Sequence, residues 1–187
     1  MRAPVRIEGY AIVSLDGMIA NSEGKMPDSL VFEADQRFYA RALEGADVVV
    51  HGRHSAERPQ SSSRRRLIAT EQIPGIAAVP SNERALLWNP ASVPFEQALA
   101  ALKISGGAIA ILGGTRVFGL FLDRYDAFHL SRAPNVRLPG GRPVFPEVPA
   151  LSPEQVLANH GLVPGEQQVL DKERALTLTS WRRMAGA

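Results

Sequence analysis

The sequence predicts an α/β fold on a mostly parallel sheet, and three observations carry that reading. The apolar run Ala108 to Leu112 enters Gly113-Gly114, and a helix-like segment, Thr115 to Leu122, follows at once. The run is short and does not alternate, as expected of a strand buried on both faces. A second β-branched run, Val48 to Val50, ends in His51-Gly52 and leads into Arg53-His54-Ser55, where a helix would begin. Elsewhere strand-like and helix-like segments alternate, and the chain closes with a hairpin pattern that adds antiparallel strands at one edge.

The elements read in order as follows. Val5 to Val13 is a strand, and Ser14-Leu15-Asp16-Gly17 is a turn with Asp-Gly as its signal. A polar loop from Asn21 to Pro27 precedes a helix over Ser29 to Leu43, capped by Asp28 or Ser29, with Val31, Ala34, Phe38 and Ala42 as its buried stripe and Gly45 as its stop. Val48 to His51 is the next strand. Glu57 to Arg64 is a polar surface loop. Leu67 to Thr70 and Ala85 to Trp88 are short strands, with an irregular stretch or marginal helix over Pro74 to Asn82 between them. Ser92 and Pro94 open a helix to Lys103 with Phe95, Ala98, Leu99 and Leu102 on its apolar face, ended by Gly106-Gly107. After the strand-Gly-Gly-helix unit, Ala127 to Arg132 is a strand. Pro134 to Pro153 is an ordered loop anchored by Val144, Phe145 and Val148. Gln167 to Leu170, a turn at Asp171 to Arg174, and Leu176 to Trp181 form the hairpin.

Composition narrows the function. The 187 residues carry a net charge of +2, so there is no electrostatic footprint for nucleic acid. The only long basic run is Arg64-Arg65-Arg66. With no cysteine, disulfides, thiolate zinc sites and thiol catalysis are excluded, and no metal site is predicted. No apolar stretch approaches membrane-spanning length, and Met1-Arg2-Ala3-Pro4 opens no signal-peptide pattern. The expectation is a cytoplasmic protein without membrane or nucleic-acid partners. No linker marks a boundary, so residues 1–187 read as one domain.

Two glycine-ended strands side by side would let a ligand approach the backbone at the strand carboxyl ends. Unpaired N–H groups at the helix starts suit phosphate, and together these features imply a dinucleotide-binding edge. Arg53 offers phosphate a planar fork of donors at a helix start that would otherwise disfavour a cation. His51 and His129 read as satisfied core histidines, and Phe118 and Phe121 as core.

Four segments in order resemble the dihydrofolate reductase superfamily: Ser14 to Ala20, Ala46-Asp47 to Ser55, Ile111 to Phe118, and Phe128-His129-Leu130-Ser131. They are most similar to stand-alone relatives of the reductase domain in bifunctional riboflavin-biosynthesis deaminase/reductases, over nearly the whole chain. The resemblance implies a three-layer α/β fold with a mixed eight-stranded sheet, a C-terminal antiparallel hairpin and NADPH across the strand ends. It implies cofactor contacts at Ala11, Ile19, Gly52, Arg53, His54, Ser55, Thr70, Leu112, Gly113, Gly114, Thr115, Arg116 and Val117, with Gly113-Gly114 at a position that often holds a cis peptide. Glu71, next to Thr70, suits a phosphate there only if it turns outward. Arg53 and the basic run favour NADPH over NADH.

A first-helix carboxylate is the implied catalytic acid, and Asp35 and Glu33 both qualify. They lie about 200° apart on a helix, so at most one faces the cleft; Phe38 shares the side of Asp35. Ser131 and Phe38 are the implied substrate contacts, and Arg132, Arg137 or Arg142 could hold a substrate phosphate. The implied activity is hydride transfer to a C=N or C=O carbon of a small molecule, foremost 5-amino-6-(5-phosphoribosylamino)uracil. Dihydrofolate reductase proper is an alternative, set back by Asp28 standing where tryptophan usually follows Met26-Pro27. A non-catalytic nucleotide-binding relative is another. The zinc pattern of the deaminase half is absent. A homodimer is expected from the riboflavin-type relatives.

Overall fold

A computed structural model describes residues 4–53 and 64–184 of the chain. Its first strand, β1 (Val5–Ser14), leads through the Asp16-Gly17 turn to a short strand, β2 (Met18–Ala20). A 3-10 turn at Asp28–Leu30 precedes α1 (Glu33–Glu44). Then come β3 (Val48–Gly52), β4 (Arg65–Ala69), β5 (Ile76–Val79), β6 (Asn82–Trp88) and α2 (Phe95–Ala101). They are followed by β7 (Gly107–Gly113), α3 (Thr115–Leu120), β8 (Ala127–Ala133) and β9 (Arg142–Pro143). The chain closes with α4 (Pro153–Asn159), β10 (Leu162–Asp171) and β11 (Leu176–Arg183).

Nine of the described strands form one sheet in the order β10-β11-β8-β1-β7-β3-β4-β6-β5. The six strands from β8 to β6 run parallel. Antiparallel strands flank them, with β5 on one edge and the β10–β11 hairpin on the other. β2 and β9 pair as a separate ribbon.

Alternation along each strand divides the core between the two faces. Val13, Val48, Val50, Ile109, Ile111, Phe128 and Leu130 point to one face, where α2, α3 and α4 cover them. Val49 and Ala110 point to the other, against Leu43 of α1. Val48 to Val50 are wholly buried, as their unbroken apolar run predicts. The mostly parallel sheet, the terminal hairpin and the buried anchors Val144, Phe145 and Val148 match the sequence expectations.

Several expectations are corrected. The sheet has nine strands rather than eight, because Ile76–Val79, read as irregular or helical, pairs with β6. A four-residue segment rich in alanine has no period of its own, and the neighbouring strand decides it. The first helix begins at Glu33, not Ser29, and neither Asp28 nor Ser29 caps it. Leu30 and Phe32 explain the delay: both are buried beside Ile12, Ala133 and Leu176. Residues i and i+2 share a side in extended chain but not in a helix. Val31 between them is therefore exposed rather than part of a buried stripe. Arg174 pins this segment, its guanidinium 3.5 Å over the Phe32 ring and bonded to the carbonyls of Ser29 and Val31.

A helix absent from the sequence reading, α4, starts at a complete capping box. Ser152 accepts from the Gln155 N–H, and the Gln155 side chain accepts from the Ser152 N–H. The Ser-Pro-Glu-Gln pattern was its signal. The hairpin also begins earlier, at Leu162 rather than Gln167.

Gly9, mid-β1, lets the aromatic layer close over the sheet. A Cβ there would lie 2.3 Å from the Phe128 ring and 2.9 Å from that of Tyr125. Gly9→Ala is expected to destabilise by about 1–3 kcal/mol through overpacking. Urea unfolding midpoints of variant and parent check this; equal midpoints would contradict the packing.

Candidate functional site

Because six neighbouring strands are parallel, their carboxyl ends collect at one edge. There β3 and β7 are adjacent, with His51 in register with Gly113. A Cβ on Gly52 would sit 3.8 Å from the Gly113 carbonyl oxygen and 3.7 Å from a Val117 methyl. The two glycine hinges are therefore neighbours. Gly113 has φ +104°, and a Cβ there would meet the Phe118 ring at 2.5 Å. A Cβ on Gly114 would meet nothing within 4 Å. Gly113 thus makes the turn and Gly114 keeps its outer side open. The only cis peptide among the described residues precedes Pro149, so Gly113-Gly114 is trans, contrary to expectation.

The other expected cofactor residues take distinct places. Val117 and Phe118 are core, packed beneath the hinges. The Thr115 hydroxyl donates to the Pro143 carbonyl at 2.5 Å. Thr70 is buried at the end of β4, and its hydroxyl oxygen accepts from the Gln72 N–H at 3.2 Å. Ala11 and Ile19 are partly buried against the main core, and Leu112 against the Leu43 cluster. Arg53 follows β3 directly, while His54 and Ser55 lie outside the described residues.

Glu71 is exposed, and its carboxylate pairs with both terminal nitrogens of Arg116. Arg65 and Arg66 open β4, at the end of the strand away from Thr70, so the basic run does not sit at the carboxyl edge. Arg66 instead reaches Nε2 of His51 at 2.9 Å, and His51 Nδ1 lies 2.8 Å from the Gly52 carbonyl. The carbonyl needs a donor and the guanidinium an acceptor, so the ring carries its proton on Nδ1.

The two candidate acids separate cleanly. Glu33 faces solvent, its side chain 83% exposed, in an i,i+4 pair with Arg37. Asp35 turns inward toward Ser131 of β8, which is 1% exposed. Burial pushes the Asp35 carboxyl above its ordinary value, and the Ser131 hydroxyl offsets only part of that rise. Ser131 is in register with Ile12 of β1. Only β1 lies between the strand that holds the acid and the strand that ends in the Gly-Gly pair. Two strand spacings put these chains about 10 Å apart.

Phe38, one turn beyond Asp35, lies 5.6 Å from the His129 ring and 6.3 Å from that of Tyr10. Beneath it is a polar cluster that sequence reasoning did not find. Glu8 accepts from the Tyr10 hydroxyl at 2.6 Å and contacts His129 Nε2 at 3.2 Å, while His129 Nδ1 meets the Ser180 hydroxyl at 2.8 Å. The His129 bond, joined by Tyr10 and Arg6, holds Glu8 at about 2 against the cost of burial. Alternate residues on β1 and their cross-strand partner on β8 were the only signal.

Arg132 is not free to hold a substrate phosphate. It pairs with Glu154 of α4 and donates to the carbonyls of Ser14 and Leu15. A cavity of about 340 Å³, bounded by Leu130, Arg132, Glu154, Thr179 and Trp181, includes Arg132 but none of the other expected site residues. No helix among the described residues is long and apolar enough to cross a membrane.

No family profile matches the chain, and no curated protein matches it either. Solved structures do. A candidate riboflavin-biosynthesis protein from Shewanella sp. PV-4 aligns with a TM-score of 0.67 at 21% identity, covering 97% of this chain and 100% of its own. Dihydrofolate reductase from Enterococcus faecalis, complexed with NADP(H) and RAB-propyl, aligns with a TM-score of 0.65 at 19% identity, covering 98% and 99%. Strand order, terminal hairpin and these alignments together establish that the chain has the dihydrofolate reductase-like fold.

Proposed function

We propose that the chain is an NADPH-dependent reductase acting on a C=N or C=O carbon of a small molecule, foremost 5-amino-6-(5-phosphoribosylamino)uracil. The observation that carries the reading is a half-buried Asp35 beside the buried Ser131, with an open glycine hinge two strands along the same sheet edge. The similarity to a candidate riboflavin-biosynthesis protein supports the substrate class, and the NADP(H) complex of the Enterococcus reductase supports the cofactor.

The residues present fit such a cofactor. Gly52 and Gly113 bring backbone to the strand ends, Gly114 leaves space beside it, and Arg53 and Arg116 supply cations at the same edge. A reduced nicotinamide bound there would supply the hydride. Asp35 holds the proton that the substrate nitrogen or oxygen needs as its carbon is reduced, and a raised carboxyl keeps more of that proton at working pH. The Ser131 hydroxyl beside it moderates that rise. The Ser14–Gly17 turn, braced by Arg132, borders this end of β1. The expected setting is a cytoplasmic homodimer formed from one domain of residues 1–187.

Asp35→Asn is expected to lower turnover by about a hundredfold or more while NADPH still binds. Steady-state NADPH oxidation with the pyrimidine substrate, beside cofactor titration, checks this; unchanged turnover would remove Asp35 from the reaction. The same variant tests the desolvation. The Asp35 carboxyl titrates higher in the fold than in the unfolded chain, so the native state binds its proton more tightly. Stability from this group therefore falls as pH rises from the ordinary carboxylate value of 3.8 through the raised one. Urea midpoints should show Asp35→Asn gaining on the parent between pH 4 and pH 8. A constant difference would show that burial does not shift the acid.

A further inference from the structure

Glu71 and Arg116 come from opposite sides of the strand that ends in Gly52. Glu71 follows Thr70 at the end of β4, and Arg116 sits in the first turn of α3, directly after β7. The sheet order places β3 between those two strands, so the ion pair spans the β3 end where the glycine hinges meet. Both partners are exposed, with side chains 53% and 78% accessible. An exposed pair of this kind contributes little to folding, so its placement is cheap to alter.

We propose that Glu71 is a selectivity-determining residue that acts as a built-in competitor for cofactor phosphate. This deepens the reductase reading and rests on it. A carboxylate and a phosphate oxygen pair offer the same two acceptors to a guanidinium, and Arg116 has one fork to give. When a phosphate takes that fork, Glu71 loses its counter-ion and is left as an unpaired anion close to the newcomer. When Arg116 stays on Glu71, the phosphate loses a cation. Either way the carboxylate opposes binding, and the opposition grows with the charge of the ligand. NADPH carries a phosphomonoester that NADH lacks, so Glu71 penalises NADPH more.

Equilibrium titration of the full chain with NADPH and with NADH, read by nicotinamide fluorescence, tests this in the parent, Glu71→Gln and Glu71→Asp. Because residue 71 is exposed, all three should melt at the same temperature. Glu71→Gln is expected to tighten NADPH about fivefold and NADH about twofold at low salt, with the gain shrinking as salt is added. Glu71→Asp, which keeps the charge, should stay close to the parent. Unchanged or weaker NADPH binding in Glu71→Gln overturns the competitor role while leaving the reductase reading standing. Failure of the parent and Glu71→Gln to bind either dinucleotide overturns the reductase reading and this inference with it.

Discussion

The candidate site depends on one close passage of backbone over a ring. At Gly113 the chain takes a left-handed turn with no room for a side chain above Phe118. That contact ends β7 beside the end of β3, with Val117 packed beneath Gly52. The aromatic layer under it, Phe118, Phe128, Tyr125 and Phe145, is edge-to-face or tilted throughout and shields the sheet from below. The Tyr125 hydroxyl closes the layer by donating to the Phe118 carbonyl at 3.0 Å. A rigid floor of this kind lets the exposed rim above carry glycines and charges rather than packing residues.

The acid is held on different terms. Asp35 is kept in a half-buried position that raises its proton affinity, with only the Ser131 hydroxyl near enough to lower it. Glu8, in register with Ala127 and so four β8 residues further from the carboxyl edge than Ser131, has a carboxylate with the opposite fate, because it gathers Tyr10, His129 and Arg6. The two carboxylates face the same side of the sheet as α1, yet one is raised and the other lowered. The number of donors around each accounts for the difference. A carboxylate with few donors is a poor choice for stability and a useful one for proton transfer.

The turn after β1 is tied from three sides. Ser14 donates to Asp16 at 2.6 Å and accepts from the Met18 N–H, Asp16 accepts from the Leu138 N–H, and Arg132 holds the Ser14 and Leu15 carbonyls. The Pro- and Gly-rich segment after β8 therefore serves as a brace, and Thr115 adds its bond to Pro143. Ser131 and Arg132 are consecutive on β8. One meets the acid on one face of the sheet, and the other anchors the turn from the opposite face.

The sequence by itself determined the parallel centre of the sheet, the hairpin at its edge and the positions of both glycine hinges. Each of these is written in local chemistry: unbroken apolar runs, turn residues and strand alternation. The capping box that opens α4 is equally local, written in Ser152-Pro153-Glu154-Gln155. Tertiary structure alone decided the rest. Whether Glu33 or Asp35 faces inward depended on where α1 begins, and that was set by Leu30 and Phe32 burying themselves against β1, β8 and β11. Ile76–Val79 became a strand only because β6 offered it an edge. Glu71 found Arg116 across 45 residues of sequence, and the basic run was carried to the far end of its strand. Such outcomes turn on which distant groups share a strand end, and no local pattern encodes that.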